Sequence, residues 1–369
     1  MASADFSPLL EPFQAGALAL DNRVVMAPLT RSRSNPEGVP PSFAADYYAQ
    51  RASAGLVISE ATNISAQARG YDYTPGIWTD AQVASWRSVT DAVHRAGGLM
   101  LLQLWHTGRL SHPDLQPDKA LPVSASAIRP RGQAFTAAGM KDYVTPRALD
   151  ADEIDAVVED YRHATLQSRK AGFDGVEIHS ANNYLLEQFV RDSTNTRTDQ
   201  YGGSIANRLR FPLKVVRAVV SAWEPGRVGI RISPVTPQPG GAALDSDVMA
   251  TYGAYVSALS EFGLAYLHLV EGTTIGPRDV PQGIDLRALR RRFRGPYMAN
   301  NGYTVQAGAA AIRQGNADLI SFGRMYLANP DLVARIRQGG PFAPEAPKDT
   351  WYGGGREGYA DWPALPKAA

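Results

Sequence analysis

His179, Asn182 and Tyr184 fall within six residues of one another in the stretch Gly175-Val176-Glu177-Ile178-His179-Ser180-Ala181-Asn182-Asn183-Tyr184. An imidazole, an amide and a phenol leave the chain there at a spacing at which one turn can aim all three into a pocket. Two of them can bind a substrate oxygen and one can move a proton. The stretch begins as a short apolar run of strand character and turns polar without a Pro or a charged cluster. His179 therefore falls where a buried strand surfaces at its C-terminal end, the end at which α/β folds keep their chemistry.

Positioning these groups requires a scaffold, and the rest of the chain reads as a regular one. Apolar runs of strand character at 23–31, 55–61, 99–105, 175–180, 227–233, 264–270, 296–301 and 318–324 alternate with segments of helical pattern. The expected helices cover 41–54, 80–96, 152–171, 204–222, 246–263, 286–293, 304–315 and 325–339, with Asp80 and Thr304 as N-caps. Eight strands joined by crossovers of helix length predict parallel pairing closed into a barrel. The expected fold is α/β, a (β/α)8 TIM barrel forming one domain over 1–369. Residues 107–150, rich in Pro, Gly, Ser and Arg, are too long for an ordinary connection and predict a capping excursion after the third strand. The tail 349–366, with three consecutive glycines, predicts a loop folded back on the body.

Composition narrows the function classes. The formal net charge of +1 offers no electrostatic case for nucleic acid or a membrane surface, and no run approaches the length of a spanning helix. Residues 1–6 do not read as a secretion signal, so a cytoplasmic protein, monomer or homodimer, is expected. The chain has no cysteine, which removes disulfides, thiolate nucleophiles, Cys-zinc sites and Cys-ligated clusters together.

The polar residues at the strand ends are Thr30, Glu60, Gln103, His179, Arg231, Asn301 and Arg324. None of the lysines, Lys119, Lys141, Lys170, Lys214, Lys348 and Lys367, stands there, so a Schiff-base aldolase has no nucleophile. His-x-His metal ends and paired catalytic carboxylates are absent as well. This inventory binds and donates without an engine of its own, the pattern expected when a cofactor carries the hard chemistry. Asn300-Asn301-Gly302 ends the seventh strand and Phe322-Gly323-Arg324 the eighth, where barrels recurrently bind phosphate. No metal site is expected.

Over nearly its whole length the chain resembles the Old Yellow Enzyme family of FMN-dependent ene-reductases. The resemblance runs through Met26-Ala27-Pro28-Leu29-Thr30-Arg31, Gln103-Leu104-Trp105-His106-Thr107-Gly108-Arg109, the His179 to Tyr184 stretch, Arg197-Thr198-Asp199-Gln200-Tyr201-Gly202-Gly203-Ser204, Phe322-Gly323-Arg324 and Tyr352-Gly353-Gly354-Gly355. It implies tightly bound, non-covalent FMN at the barrel mouth and NADPH or NADH as electron donor. Arg231 and Gln103 would then meet the pyrimidine edge of the flavin, Thr30 its O4, and Pro28, Leu29 and Ala61 its ring. Asn301, Gly302, Gly323 and Arg324 would hold the phosphate. His179 and Asn182 would grip the carbonyl or nitro oxygen of an activated alkene while hydride reaches its β-carbon and Tyr184 protonates the α-carbon. Tyr71, Trp105 and Tyr352 match positions that shape the substrate pocket. Where many relatives carry Gly, this chain has Asn183, a residue type that tolerates a left-handed turn. His106 carries no assigned chemistry, and packing or a backbone hydrogen bond is expected of it.

Other readings stay open at this point: a flavin reductase of nitrate esters or nitro compounds, a flavin-free lyase or isomerase of a phosphorylated substrate, and a non-catalytic ligand-binding barrel. The flavin-free readings leave Gln103, Arg231 and Thr30 without a task.

Overall fold

The computed structural model describes residues 5–274 and 276–366. Of the N-terminal reading over 1–6 only Asp5 and Phe6 fall within it, and Lys367 lies outside the described residues. Eight parallel strands close into a barrel in sequence order: β1 (Val24–Met26), β2 (Leu56–Asn63), β3 (Met100–Trp105), β4 (Gly175–Ser180), β5 (Val228–Ile232), β6 (Tyr266–Val270), β7 (Tyr297–Asn300) and β8 (Leu319–Phe322). Every residue of these strands is buried, because helices cover the outside and side chains fill the inside. That explains the unbroken apolar runs in place of an alternating pattern.

Neighbouring strands align their inward residues in layers. Val25 pairs with Leu56, Ile58 with Leu101, and Met298 with Leu319, giving an apolar lower layer. A hairpin of Phe13–Ala15 and Leu18–Leu20 packs Ala15, Leu18 and Leu20 against it. Gly16 turns that hairpin at φ 59°, where an added Cβ would meet the Gly226 carbonyl oxygen at 2.5 Å. The hairpin was not anticipated, since strands of three residues are too short to show a period.

The helices follow the expected alternation with local differences. Thr79, not Asp80, caps the helix Asp80–Arg95: its hydroxyl accepts from the Gln82 N–H while the Gln82 side chain accepts from the Thr79 N–H. Asp80 sits in the first turn, where its charge suits the helix dipole. Thr304 caps Val305–Arg313 as expected, accepting from Ala307 N–H at 3.1 Å. The expected helix over 325–339 is two helices, Arg324–Ala328 and Leu332–Gln338, because Pro330 lacks an N–H and forces Asn329 out of helical geometry.

The segment 107–150 holds two 3₁₀ turns, an antiparallel hairpin of Gln133–Thr136 and Gly139–Asp142, and a short parallel pair of Val123–Ser124 with Arg147–Ala148. It reaches loops at the C-terminal mouth of the barrel, with Asp72 N–H donating to Phe135 O at 3.3 Å and Arg131 N–H to Gly240 O at 2.9 Å. The tail folds back as expected: Arg31 donates to the carbonyls of Trp351 at 2.8 Å and of Thr350 and Gly358 at 3.1 Å, and Tyr359 stacks on Tyr47 at 3.9 Å.

Candidate active site

Two residues above the apolar layer, the same inward positions become polar. A register shift between Ile58 and Ala61 in β2 sets Ala61 across from Gln103, and the pairing continues from Gln103 to Glu177 and from His179 to Arg231 to His268. Glu177 accepts from Gln103 Nε2 at 2.7 Å and from His268 Nδ1 at 2.8 Å. Burial raises the proton affinity of this carboxyl, but His268, Arg231 and Gln103 outweigh it and hold the pKa below the usual range. Arg231 Nη2 donates to Asn300 Oδ1 at 2.8 Å, and Asn300 Nδ2 donates to the Ser321 carbonyl and hydroxyl, each at 3.0 Å. The Arg231 Nε–H, buried at the mouth, has no partner among the described residues.

His179 is 4% exposed, and the Ala181 N–H donates to its Nδ1 at 3.3 Å. That bond fixes the tautomer: Nδ1 accepts, so Nε2 carries the proton and donates. Burial first, then Arg231 and His268, push the imidazole pKa well below its ordinary value, so His179 is neutral in the working pH range.

The chain then turns through two consecutive left-handed residues, Asn182 at φ 56° and Asn183 at φ 58°. The expected tolerance of Asn183 for this geometry is realised, and Asn182 shares it. Such conformations persist only where surroundings over-determine them. Here Asn182 N–H donates to Ser233 Oγ at 2.7 Å, Asn183 N–H to Glu187 Oε2 at 2.6 Å, and Ser233 Oγ in turn to Glu187 Oε1 at 2.9 Å. Tyr252 donates to the same carboxylate at 2.7 Å and Arg191 pairs with it at 3.3 Å, with both charged side chains fully buried. Thr274 Oγ1 donates to Asn182 Oδ1 at 2.7 Å. The amide is thereby oriented with Nδ2 left to donate elsewhere. Glu187, Ser233 and Thr274 were not anticipated. They come from other segments, and only Glu187, four residues beyond Asn183 in a helical register, left any local signal.

Tyr184 packs edge-on against Trp105 at 5.0 Å and against His179 at 5.0 Å. Tyr71 stacks on Trp105 at 5.6 Å, and its hydroxyl lies 3.3 Å from that of Tyr184. Burial pushes the Tyr184 pKa above that of a free phenol. Tyr352 stands on the tail, 52% exposed, near enough to raise the phenol pKa of both Tyr71 and Tyr184. Trp105 is 1% exposed, and its indole N–H has no partner among the described residues.

The remaining strand-end residues divide. Pro28, Leu29 and Thr30 follow β1 and are half-buried. Glu60 accepts from the Arg31 N–H at 3.1 Å and lies by the Tyr48 phenol, a structural acid whose pKa burial raises to about 7 against the Arg31 contacts. His106 is also structural: its Nδ1 accepts from Gly108 N–H at 3.0 Å, and burial lowers its pKa to about 3. The Asn301 amide is engaged within the protein, donating to the carbonyls of Glu271 at 2.8 Å and Thr273 at 2.9 Å. Beside it Gly302 has φ 63° and open space where a side chain would be. At Gly323 an added Cβ would come within 3.3 Å of Leu29, so backbone lies close to the β1 loop there. Arg324 is half-exposed and pairs with Glu345 at 3.3 Å.

Chemically this is a mouth with a buried, unpaired guanidinium N–H, an amide-rich floor, side-chain-free backbone beyond β7 and β8, and two oriented donors beside a phenol. The unpartnered Arg231 N–H fits the pyrimidine edge of FMN, and the open backbone at Gly302 and Gly323 leaves room for its phosphate. Residues 8–342 match the family described as NADH:flavin oxidoreductase / NADH oxidase. The chain is 43% identical to 12-oxophytodienoate reductase 1 of Oryza sativa subsp. japonica, over 99% of this chain and 95% of the relative. It is similar to the structure of morphinone reductase in complex with tetrahydroNAD, with a TM-score of 0.91 and 48% identity over 97% of this chain and 98% of that one. It is also similar to the Old Yellow Enzyme homologue from Zymomonas mobilis, with a TM-score of 0.92 and 42% identity over 97% and 99%. With fold, donor set and relatives in agreement, the chain belongs to the NADH:flavin oxidoreductase / NADH oxidase family, among its Old Yellow Enzyme ene-reductases, which work with FMN and NAD(P)H.

Proposed function

We propose that this protein reduces the C=C bond of alkenes activated by a carbonyl or nitro group, such as enones, enals, maleimides and nitroalkenes, and that His179, Asn182 and Tyr184 are its catalytic residues. When bound, FMN reduced by NADPH or NADH supplies the hydride for the β-carbon. His179 Nε2–H and Asn182 Nδ2–H grip the activating oxygen and draw electrons from the alkene, stabilising charge where it develops. Tyr184 delivers the proton to the α-carbon. A phenol is a suitable acid toward an enolate, and its raised pKa keeps it protonated until charge builds on the substrate. Trp105, Tyr71 and Tyr352 bound the flat substrate.

The same reading assigns the cofactor-holding groups. Arg231, through its unpartnered Nε–H, and Gln103 hold the flavin pyrimidine edge. Thr30 would donate to the flavin carbonyl O4, and Pro28, Leu29 and Ala61 would line the ring. Gly302, Gly323 and Arg324 hold the phosphate, with Asn301 contributing by shaping the loop, since its amide is engaged with carbonyls.

One observation carries this assignment: the Ala181 N–H on His179 Nδ1 and the Thr274 hydroxyl on Asn182 Oδ1 together leave two N–H donors free beside the Tyr184 phenol. Anaerobic stopped flow tests it. NAD(P)H is expected to bleach the flavin and an enone to recolour it, with p-hydroxybenzaldehyde competing for the site. Replacement of His179 and Asn182 by Ala is expected to weaken that phenol and slow both half-reactions. Unaltered phenol binding in the double variant removes the donor pair.

A further inference from the structure

The acid role of Tyr184 leaves a question that the site geometry answers. Once its Oη–H bond breaks and the substrate C–H bond forms, Tyr184 is a phenolate in a site covered by substrate and must regain a proton. Its neighbours rule themselves out. His179 is neutral, its Nδ1 engaged with Ala181 N–H and its one N–H assigned to substrate. Arg231 retains its proton at any working pH. Among the described residues the one side-chain hydrogen bond made by Tyr184 is with Tyr71, at 3.3 Å between hydroxyls. Tyr71 is held for that contact: its ring stacks on Trp105 at an interplanar angle of 11°, and Thr74 Oγ1 donates to its carbonyl at 2.8 Å.

We infer that Tyr71 is the proton relay to Tyr184, connecting the buried acid to solvent through the phenol-lined edge of the pocket where Tyr143 of the 107–150 segment adjoins. In step with proton delivery to the α-carbon, the Tyr71 Oη–H bond breaks as the Tyr184 Oη–H bond re-forms, and the Tyr71 phenolate takes a proton from solvent. One solvent proton enters per turnover, and no electrons move in this step. Tyr143 is 3% exposed, in an apolar cluster with Leu110, Leu115 and Ala134 against which Tyr184 also packs. The 107–150 segment thereby places a phenol beside the Tyr71–Tyr184 pair. The titratable and charged groups around Tyr184 and Tyr71 are Tyr143, Tyr352, Arg231 and the neutral His179. Burial raises the pKa of both phenols, so each holds its proton at rest and the Tyr71 proton crosses only as solvent replaces it.

This inference rests on Tyr184 being the acid, and the test separates the two. Reduced holoenzyme is reoxidised by 2-cyclohexenone in H2O/D2O mixtures for the wild type, Tyr71→Phe and Tyr184→Phe. For the wild type a bowed dependence of rate on deuterium fraction is expected, because more than one proton moves. For Tyr71→Phe we expect reoxidation slower by about a hundredfold, a straight dependence, and partial rescue by added acetic acid. Tyr71→Phe with the wild-type rate and bow overturns the relay. A slower Tyr71→Phe that keeps the bow and ignores added acid also overturns it, reducing Tyr71 to a positioning residue. If instead Tyr184→Phe reoxidises at the wild-type rate, the acid assignment itself fails.

Discussion

Two layers of side chains inside the same barrel, one pleat repeat apart, have opposite character. The lower layer, with Val25, Leu56, Ile58, Leu101, Tyr266, Met298 and Leu319, is fully buried, and all but the Tyr266 phenol is hydrocarbon or thioether facing its own kind under the N-terminal hairpin. The upper layer, with Gln103, Glu177, His179, Arg231, His268, Asn300 and Ser321, is almost as buried but polar throughout. Its bonds are mutual where they exist, yet the Arg231 Nε–H and His268 Nε2 find no partner among the described residues. An unsatisfied buried polar atom costs about 1–3 kcal/mol. A fold tolerates that cost where a ligand removes it. The lower layer therefore holds the barrel closed, and the upper layer is a half-finished hydrogen-bond network awaiting cofactor and substrate.

Substitutions should separate the two layers. Tyr184→Phe, at the rim of the upper layer, is expected to slow flavin reoxidation by an enone by about 10²–10⁴-fold and to leave reduction by the nicotinamide nearly intact in stopped flow. Equal slowing of both half-reactions contradicts its acid role. Leu319→Ala in the lower layer is expected to cost about 2–5 kcal/mol in urea unfolding, with both half-reaction rate constants per bound flavin kept. Lost chemistry without lost stability would erase the division between the layers.

The buried imidazoles give a pH signature of the polar end. His106, at about 3, and His179, well below its ordinary value, stay neutral in the folded chain while unfolded imidazoles protonate below about pH 6.5. The unfolded state then binds more protons, so stability is full above that pH and is lost as pH falls, by up to about 1.4 kcal/mol per pH unit for each group. Glu60 acts in the opposite sense between its unfolded value and about 7, because the folded state holds its proton more tightly. The net expectation is a melting temperature that falls from pH 6.5 and falls more steeply below about 4.5. A profile flat over that range would mean that the two imidazoles are not held neutral.

The smallest effect expected is that of Thr274→Val, which removes the hydroxyl orienting the Asn182 amide. Phenol affinity should drop about five- to tenfold, equivalent to about 1 kcal/mol, with little change in unfolding. An undiminished affinity, measured by the spectral change of the flavin on titration, would show that the amide is oriented without Thr274.

What could be read in advance and what could not follow from the range of the interactions involved. Each strand is a contiguous apolar run bounded by polar or turn residues, so all eight were legible, as were the Thr304 cap and the folded-back tail. His179, Asn182 and Tyr184 were legible because their spacing is local. Thr79 and Asp80 are adjacent and both suit a cap, and only the reciprocal bonds with Gln82 decide between them. Asn301, at the end of the expected run 296–301, fits a phosphate ligand by sequence, but three-dimensional contact with the loop after β6 claims its amide.

From the order of its residues alone this chain determined a barrel of eight strands, its chemical end, and the imidazole, amide and phenol placed there, because strand pattern and motif spacing are short-range properties. Tertiary structure alone decided which way Asn182 faces and which hydroxyl Tyr184 touches. Those choices are made by Thr274 and Tyr71, which lie about a hundred residues away along the chain. A hydrogen bond acts over about 3 Å of space, and closure of the barrel is what brings such distant residues within that reach.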